Sequence, residues 1–128
     1  MVDIRKQVAY WREGAREDWT VAQELIDHSR VRHALFFAQL ALEKVLKAHI
    51  CRRINDLAPR IHNLVRLAEL AEIRLRQEQV DVLAEMNAFN IEERYPESLT
   101  PVPTPLEART YITRAKEVFE WLMNLLER

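Results

Sequence analysis

A chain of 128 residues is long enough to bury a core without staples and short enough to form one domain, 1–128. A single Gly, and four of the five Pro packed between positions 96 and 105, leave long segments rich in Ala, Leu, Glu and Arg, the composition of an all-helical protein. No apolar run approaches the ~20 residues of a membrane span, and Cys51, the only cysteine, excludes an internal disulfide. The start, Met1-Val2-Asp3-Ile4-Arg5, lacks the apolar stretch of a signal peptide, so a reducing cytoplasm is the expected location.

The net charge of −1 conceals an uneven distribution: residues 30–76 hold ten Lys and Arg against four Asp and Glu, and the rest nine against sixteen. A basic middle is a footprint for phosphate or nucleic acid when its cations cluster, and solvated helix surface when they are scattered, as here. Arg52 and Arg53 beside Cys51 would lower a thiol pKa, although a bystander thiol at a helix end is the ordinary case.

The spacing predicts a first helix from Asp3 to His28, with Ile4, Val8, Trp11, Ala15, Ala22 and Leu25 inward. Asp18 takes the inward position between Ala15 and Ala22. A carboxylate there is costly unless paired. Either a base from the second helix or a later loop meets it, or the stripe drifts, bringing Trp19 inside and leaving Asp18 at the rim.

A turn at 29–32 leads to a second helix from Val31 to Arg53. It is apolar over more than half its circumference through Leu35, Phe37, Ala38, Ala41, Leu42, Val45, Leu46 and Ala48, so several neighbours must bury it. Gln39, Glu43 and Lys47 follow one another at i, i+4 and i+8 within this surface, and groups so near a core need partners. A loop over 54–60 precedes a short helix from His62 to Ile73, with Ile61, Leu64, Leu67, Ala68 and Ala71 inward. A fourth helix is expected from Gln77 to about Glu93, on Val80, Leu83, Met86 or Asn87, and Phe89 or Asn90.

Three prolines in Arg94 to Pro103 forbid regular structure. The last helix then starts on a capping box: Thr104 as cap, Pro105 at the first position, Glu107 three residues on. Tyr111, Ala115, Val118, Leu122 and Leu125 continue its inward stripe. Three long helices and two shorter ones make an antiparallel up-and-down bundle. Trp19 and Trp121 are read as core or interface aromatics.

Four segments, in order, resemble one family. They are Ala15-x-x-Asp18-Trp19-x-x-Ala22; Ala38-Gln39-x-Ala41-x-Glu43-Lys44-x-x-Lys47-Ala48; Ile61-His62-Asn63-Leu64, similar to a Thr-His-Asp-Leu helix start; and Arg94-Tyr95-Pro96-Glu97, similar to an Arg-Tyr-Pro-Asp turn. Together they resemble the HEPN domain (higher eukaryotes and prokaryotes nucleotide-binding). The resemblance implies a small dimerising bundle. Many bacterial and archaeal members accompany a minimal nucleotidyltransferase in toxin–antitoxin pairs, and many are metal-independent ribonucleases. Those carry Arg, four to six residues of any kind, then His, near the start of the last helix.

This chain departs from that pattern. None of His28, His33, His49 and His62 has an Arg five, six or seven positions before it, and Arg94 is followed at positions 99 to 101 by Leu99, Thr100 and Pro101. No catalytic residue is therefore assigned. The expectation is a non-catalytic, nucleotide- or RNA-binding homodimer acting with a minimal nucleotidyltransferase; the rival is a ribonuclease toxin using another base, such as His62.

No metal site or cofactor is expected, since His28 and His33 stand out of facing register and Gly14 is alone in mid-helix. The remaining polar constellation divides into candidate ligand contacts, Lys44, Lys47, His62, Arg94 and Tyr95, and a candidate structural network, Asp18, Gln39 and Glu43. Arg94 cannot shed its charge and is expected against Asp18 or Glu43. His62 is expected to satisfy backbone groups at its helix start.

Overall fold

The computed structural model describes residues 2–90 and 102–128, and these form five α-helices without strands. They are α1 (Ile4–Asp27), α2 (Val31–Ile54), α3 (Leu64–Ala71), α4 (Gln77–Met86), followed by a single 3₁₀ turn at Asn87–Phe89, and α5 (Pro105–Leu126). None of the described helices is long and apolar enough to cross a membrane.

The core is organised around α2. Fifteen of its 24 residues are buried, on every side of the helix, because α1, α3 and α5 all pack against it. Ala34, Ala38, Ala41 and Ala48 are fully buried, which lets neighbouring backbones approach closely. The inward face of α1 is Ala15, Trp19, Ala22 and Ile26. The stripe does drift: Trp19 is inside, stacked on Phe119 of α5 with ring centroids 4.9 Å apart and planes 12° apart, and Asp18 lies at the rim.

Cross-links fix the directions. Arg109, near the start of α5, donates to the Ile26 carbonyl at the end of α1. Arg16 of α1 pairs with Glu127 just beyond the other end of α5. These helices are therefore antiparallel. His49 near the end of α2 reaches Leu122 near the end of α5, so α2 and α5 run the same way. Residues 55–63 carry the chain back along α2, since His62 meets Gln39 and Glu43 while Glu72, after α3, meets Arg53. α4 then returns antiparallel to α3, with Asn87 accepting from the Leu64 N–H.

Local chemistry explains most of the helix ends. Asp3 accepts from the Lys6 N–H at the start of α1. Thr104 and Glu107 exchange two hydrogen bonds, 3.1 and 2.9 Å, at the start of α5, the capping box expected there. These bonds hold the exposed Glu107 carboxyl below its usual range.

Three ends differ from expectation. α3 begins at Leu64, not His62, because the Asn63 side chain accepts from the Arg66 N–H at 3.0 Å and takes the cap position. It stops at Ala71, where Glu72 enters left-handed backbone at φ 53° and the Ile73 N–H turns back to the Ala68 carbonyl. α4 ends as an α-helix at Met86, and its buried stripe runs through Gln79, Val82, Leu83 and Met86, with Val80 only half-buried. The end of α1 closes in the same way as α3. The Arg30 N–H bonds the Leu25 carbonyl, the Ser29 N–H bonds the Ile26 carbonyl, and Ser29 sits at φ 58°. With so few glycines in the chain, these left-handed caps carry no glycine signature.

Candidate functional site

Along α2, residues four apart lie one above the other, so Gln39, Glu43 and Lys47 form a column. All three are buried, at 1, 4 and 5% exposure. Glu43 is the centre. Its Oε2 accepts from Lys47 Nζ at 3.1 Å and its Oε1 from Gln39 Nε2 at 3.4 Å. The His62 ring closes over the same carboxylate, with Nδ1 at 3.2 and 3.1 Å from the two oxygens. An ionised carboxylate only accepts, so the His62 proton belongs on Nδ1. Gln39 Nε2 also donates to the His62 carbonyl at 3.3 Å, tying the loop before α3 to α2. Lys47 Nζ lies 5.2 Å from the centre of the Trp11 ring, a cation–π contact from the α1 side.

A second pair stands beside the column. Lys44 Nζ is 2.8 Å from Asp18 Oδ2, at a distance for an ion pair but off the axis of a good hydrogen bond. Gly14, one turn before Asp18, is where the lysine stem crosses α1. A Cβ there would stand 3.2 Å from Lys44 Cδ. The isolated mid-helix glycine thus has a local packing reason.

The structure therefore brings Gln39, Glu43, Lys47 and His62 into one network, and Asp18 and Lys44 into a neighbouring pair. His62 does not cap α3, since Asn63 does; its ring is held by Glu43 and its side chain is 41% exposed. Arg94 and Tyr95 lie outside the described residues, and so does the expected pairing of Arg94. Both carboxylates proposed for it have other partners: Lys44 for Asp18, and Lys47, Gln39 and His62 for Glu43.

Chemically, Glu43 behind His62 Nδ1 is the arrangement in which a carboxylate orients an imidazole and leaves Nε2 as the free acceptor. Lys47 on the same carboxylate offsets its charge. Lys44 and Lys47 both spend their ammonium groups on carboxylates inside the chain.

Sequence reasoning passed over the far end of α2. His49 is buried at 5% exposure, and its Nε2–H donates to the Leu122 carbonyl at 2.8 Å. Arg52, three residues on, donates to the Leu126 carbonyl at 2.5 Å. Together they tie α2 to the end of α5, His49 as a second donor to the Leu122 carbonyl and Arg52 to the Leu126 carbonyl, which has no helical donor. The available signal was a histidine in an otherwise apolar stretch, Ala48-His49-Ile50. Cys51, next to it, is fully buried, and burial pushes its thiol up, with the charge of Asp56 adding to the rise and Lys47 opposing it.

Burial lowers the His49 pKa from its ordinary value of 6.5, with Arg52 adding repulsion and the Leu122 bond opposing. The unfolded chain then takes up this proton before the folded one does, so the contribution is full above about pH 6.5 and is lost as pH falls below it. Urea midpoints measured from pH 7.5 down to 5.5 are expected to fall, and His49→Gln, which can still donate to Leu122, is expected to show a shallower fall.

An all-helical bundle wrapped around a buried central helix, with an acid–base column inside it, is the class of protein this fold and site define. The HEPN domain matches residues 8–126, and the chain belongs to the HEPN family. Among solved structures it is similar to TT1696 from Thermus thermophilus, at 24% identity and a TM-score of 0.74 over 91% of this chain and 95% of that one. It is similar too to an archaeal HEPN homologue, at 18% identity and a TM-score of 0.75 over 94% and 98% of the two chains. At these identities the likeness is one of fold. No curated protein matches the chain.

Proposed function

We propose that this chain is a non-catalytic HEPN module: a homodimer that binds a nucleotide or RNA and acts with a minimal nucleotidyltransferase, in the manner of a toxin–antitoxin pair. The observation that carries this reading is the absence, anywhere in the sequence, of an Arg followed after four to six residues by His. Without that histidine the expected acid–base group for moving the 2′-hydroxyl proton is missing.

The column on α2 supports the same reading. Lys47 is already paired with Glu43, and Gln39 and Glu43 hold His62, which suits a brace between α2 and the loop before α3. The homodimer is the assembly that the HEPN resemblance implies. A ribonuclease reading has one observation in its favour, the Glu43-oriented ring of His62.

Purified protein incubated with mixed RNA in a metal chelator decides between them. The RNA is expected to stay intact and to shift on a native gel, and light scattering at tens of micromolar is expected to give twice the 15.2 kDa chain mass. Cleavage abolished by His62→Ala or Arg94→Ala would overturn the non-catalytic reading, and a monomer mass would overturn the dimer. A nucleotidyltransferase encoded beside this chain and co-purifying with it is the expected partner.

A further inference from the structure

A cleft of about 340 Å³ opens where the end of α2, the α3–α4 connection and the end of α5 meet. That volume is within the range of small-molecule sites. It shares no residue with the α2 column. Its apolar wall includes the half-buried Trp121 with Leu125 and Ile73, and its charged wall is Arg52, Arg53 and Arg74 against one acid, Glu72.

These arginines are not equivalent. Arg52 is anchored on the carbonyls of α5. Arg53 is held by the exposed Glu72, at 2.7 Å from one terminal nitrogen and 2.8 Å from Nε. Arg74 has no ion pair or side-chain hydrogen bond among the described residues. One guanidinium unpaired among the described residues, a second held only by a surface carboxylate, and the Trp121 indole lining the same cleft suit a molecule with a planar ring at one end and an anion at the other.

We propose that this cleft binds a small phosphate-bearing ring compound of the nucleoside monophosphate class, with its ring against Trp121 and its phosphate between Arg74 and Arg53. The inference rests on the nucleotide-binding reading above and gives it a place. Phosphate oxygens match the fork of a guanidinium, and they compete with Glu72 for Arg53. The acid is then a restraint on binding, and its removal is a gain.

The test is calorimetric titration of the intact protein with AMP, alongside adenosine and inorganic phosphate, each alone. AMP is expected to bind more tightly than either part. Arg74→Glu is expected to weaken AMP by about tenfold or more, the scale on which repulsion replaces one charge-assisted hydrogen bond. Glu72→Gln is expected to tighten it, a change that damage to the fold would not produce. Arg66→Glu makes the same charge reversal outside the cleft and is expected to leave AMP binding unchanged.

Equal losses for Arg66→Glu and Arg74→Glu would reduce the effect to general electrostatics and overturn the proposal. So would phosphate binding as well as AMP does, which would leave the ring no role. If RNA shifts but AMP does not bind, the cleft proposal falls and the binding-module reading stands. If neither binds, both fall.

Discussion

Glu43→Ala is expected to lower folding stability by about 3–5 kcal/mol, the cost of stranding a buried charge. Lys47 has 6% of its side chain in water and depends on Glu43 for its counter-ion, since the Trp11 ring supplies only a weaker, face-on attraction. Gln39 and His62 would be deprived of the same acceptor. Urea denaturation of the single variant, of Lys47→Met and of the double variant measures the effect. The double variant is expected to recover much of the stability, because removing both charges leaves no stranded ion. Asp18→Ala is expected to cost about 1 kcal/mol or less, because Lys44 is 24% exposed and can turn to water. If Glu43→Ala and Asp18→Ala melt alike, near the parent midpoint, the column is not a brace.

The second large effect is expected at Trp19. Trp19→Ala removes an indole that is 8% exposed and stacked on Phe119, at the junction of α1 with α5. The reduced burial and the cavity left behind are expected to cost about 3–5 kcal/mol, which lowers Tm by about 10–20 °C for a chain of this size. Trp19→Phe keeps a ring in the stack and is expected to recover most of that. Calorimetry of both variants checks the ordering. A parent-like Tm for Trp19→Ala would mean that α1 and α5 are held chiefly by their terminal cross-links, Arg16 to Glu127 and Arg109 to Ile26.

Counted from Arg94, the Arg-x4–6-His spacing expected of a ribonuclease would put a histidine at positions 99 to 101, and those positions are Leu99, Thr100 and Pro101. The described residues hold the Gln39–Glu43–Lys47 column with His62, a neighbouring Asp18–Lys44 pair, and the separate arginine-lined cleft.

Signals carried by near neighbours were legible in the amino-acid sequence. The capping box at Thr104 and Glu107, the all-round apolar surface of α2 and the column Gln39, Glu43, Lys47 each depend on residues within a few positions, where helix geometry alone decides who meets whom. The ordered HEPN segments carried the family for the same reason, since each is a local pattern. Ends without a side-chain signature were not legible: Glu72 and Ser29 take left-handed backbone with no glycine to announce it, and Asn63 displaced His62 as the cap of α3.

Tertiary structure alone chose the partners. Lys44 reaches Asp18 only because α1 lies against α2 with Gly14 beneath the lysine stem. His62 reaches Glu43 only because residues 55–63 return along α2. Arg53, Arg74 and Trp121 share a cleft although they are far apart in sequence. Helical periodicity states which face a side chain occupies, but the distance from that face to another depends on how whole helices pack, and that is settled by the summed burial of apolar surface over the entire core.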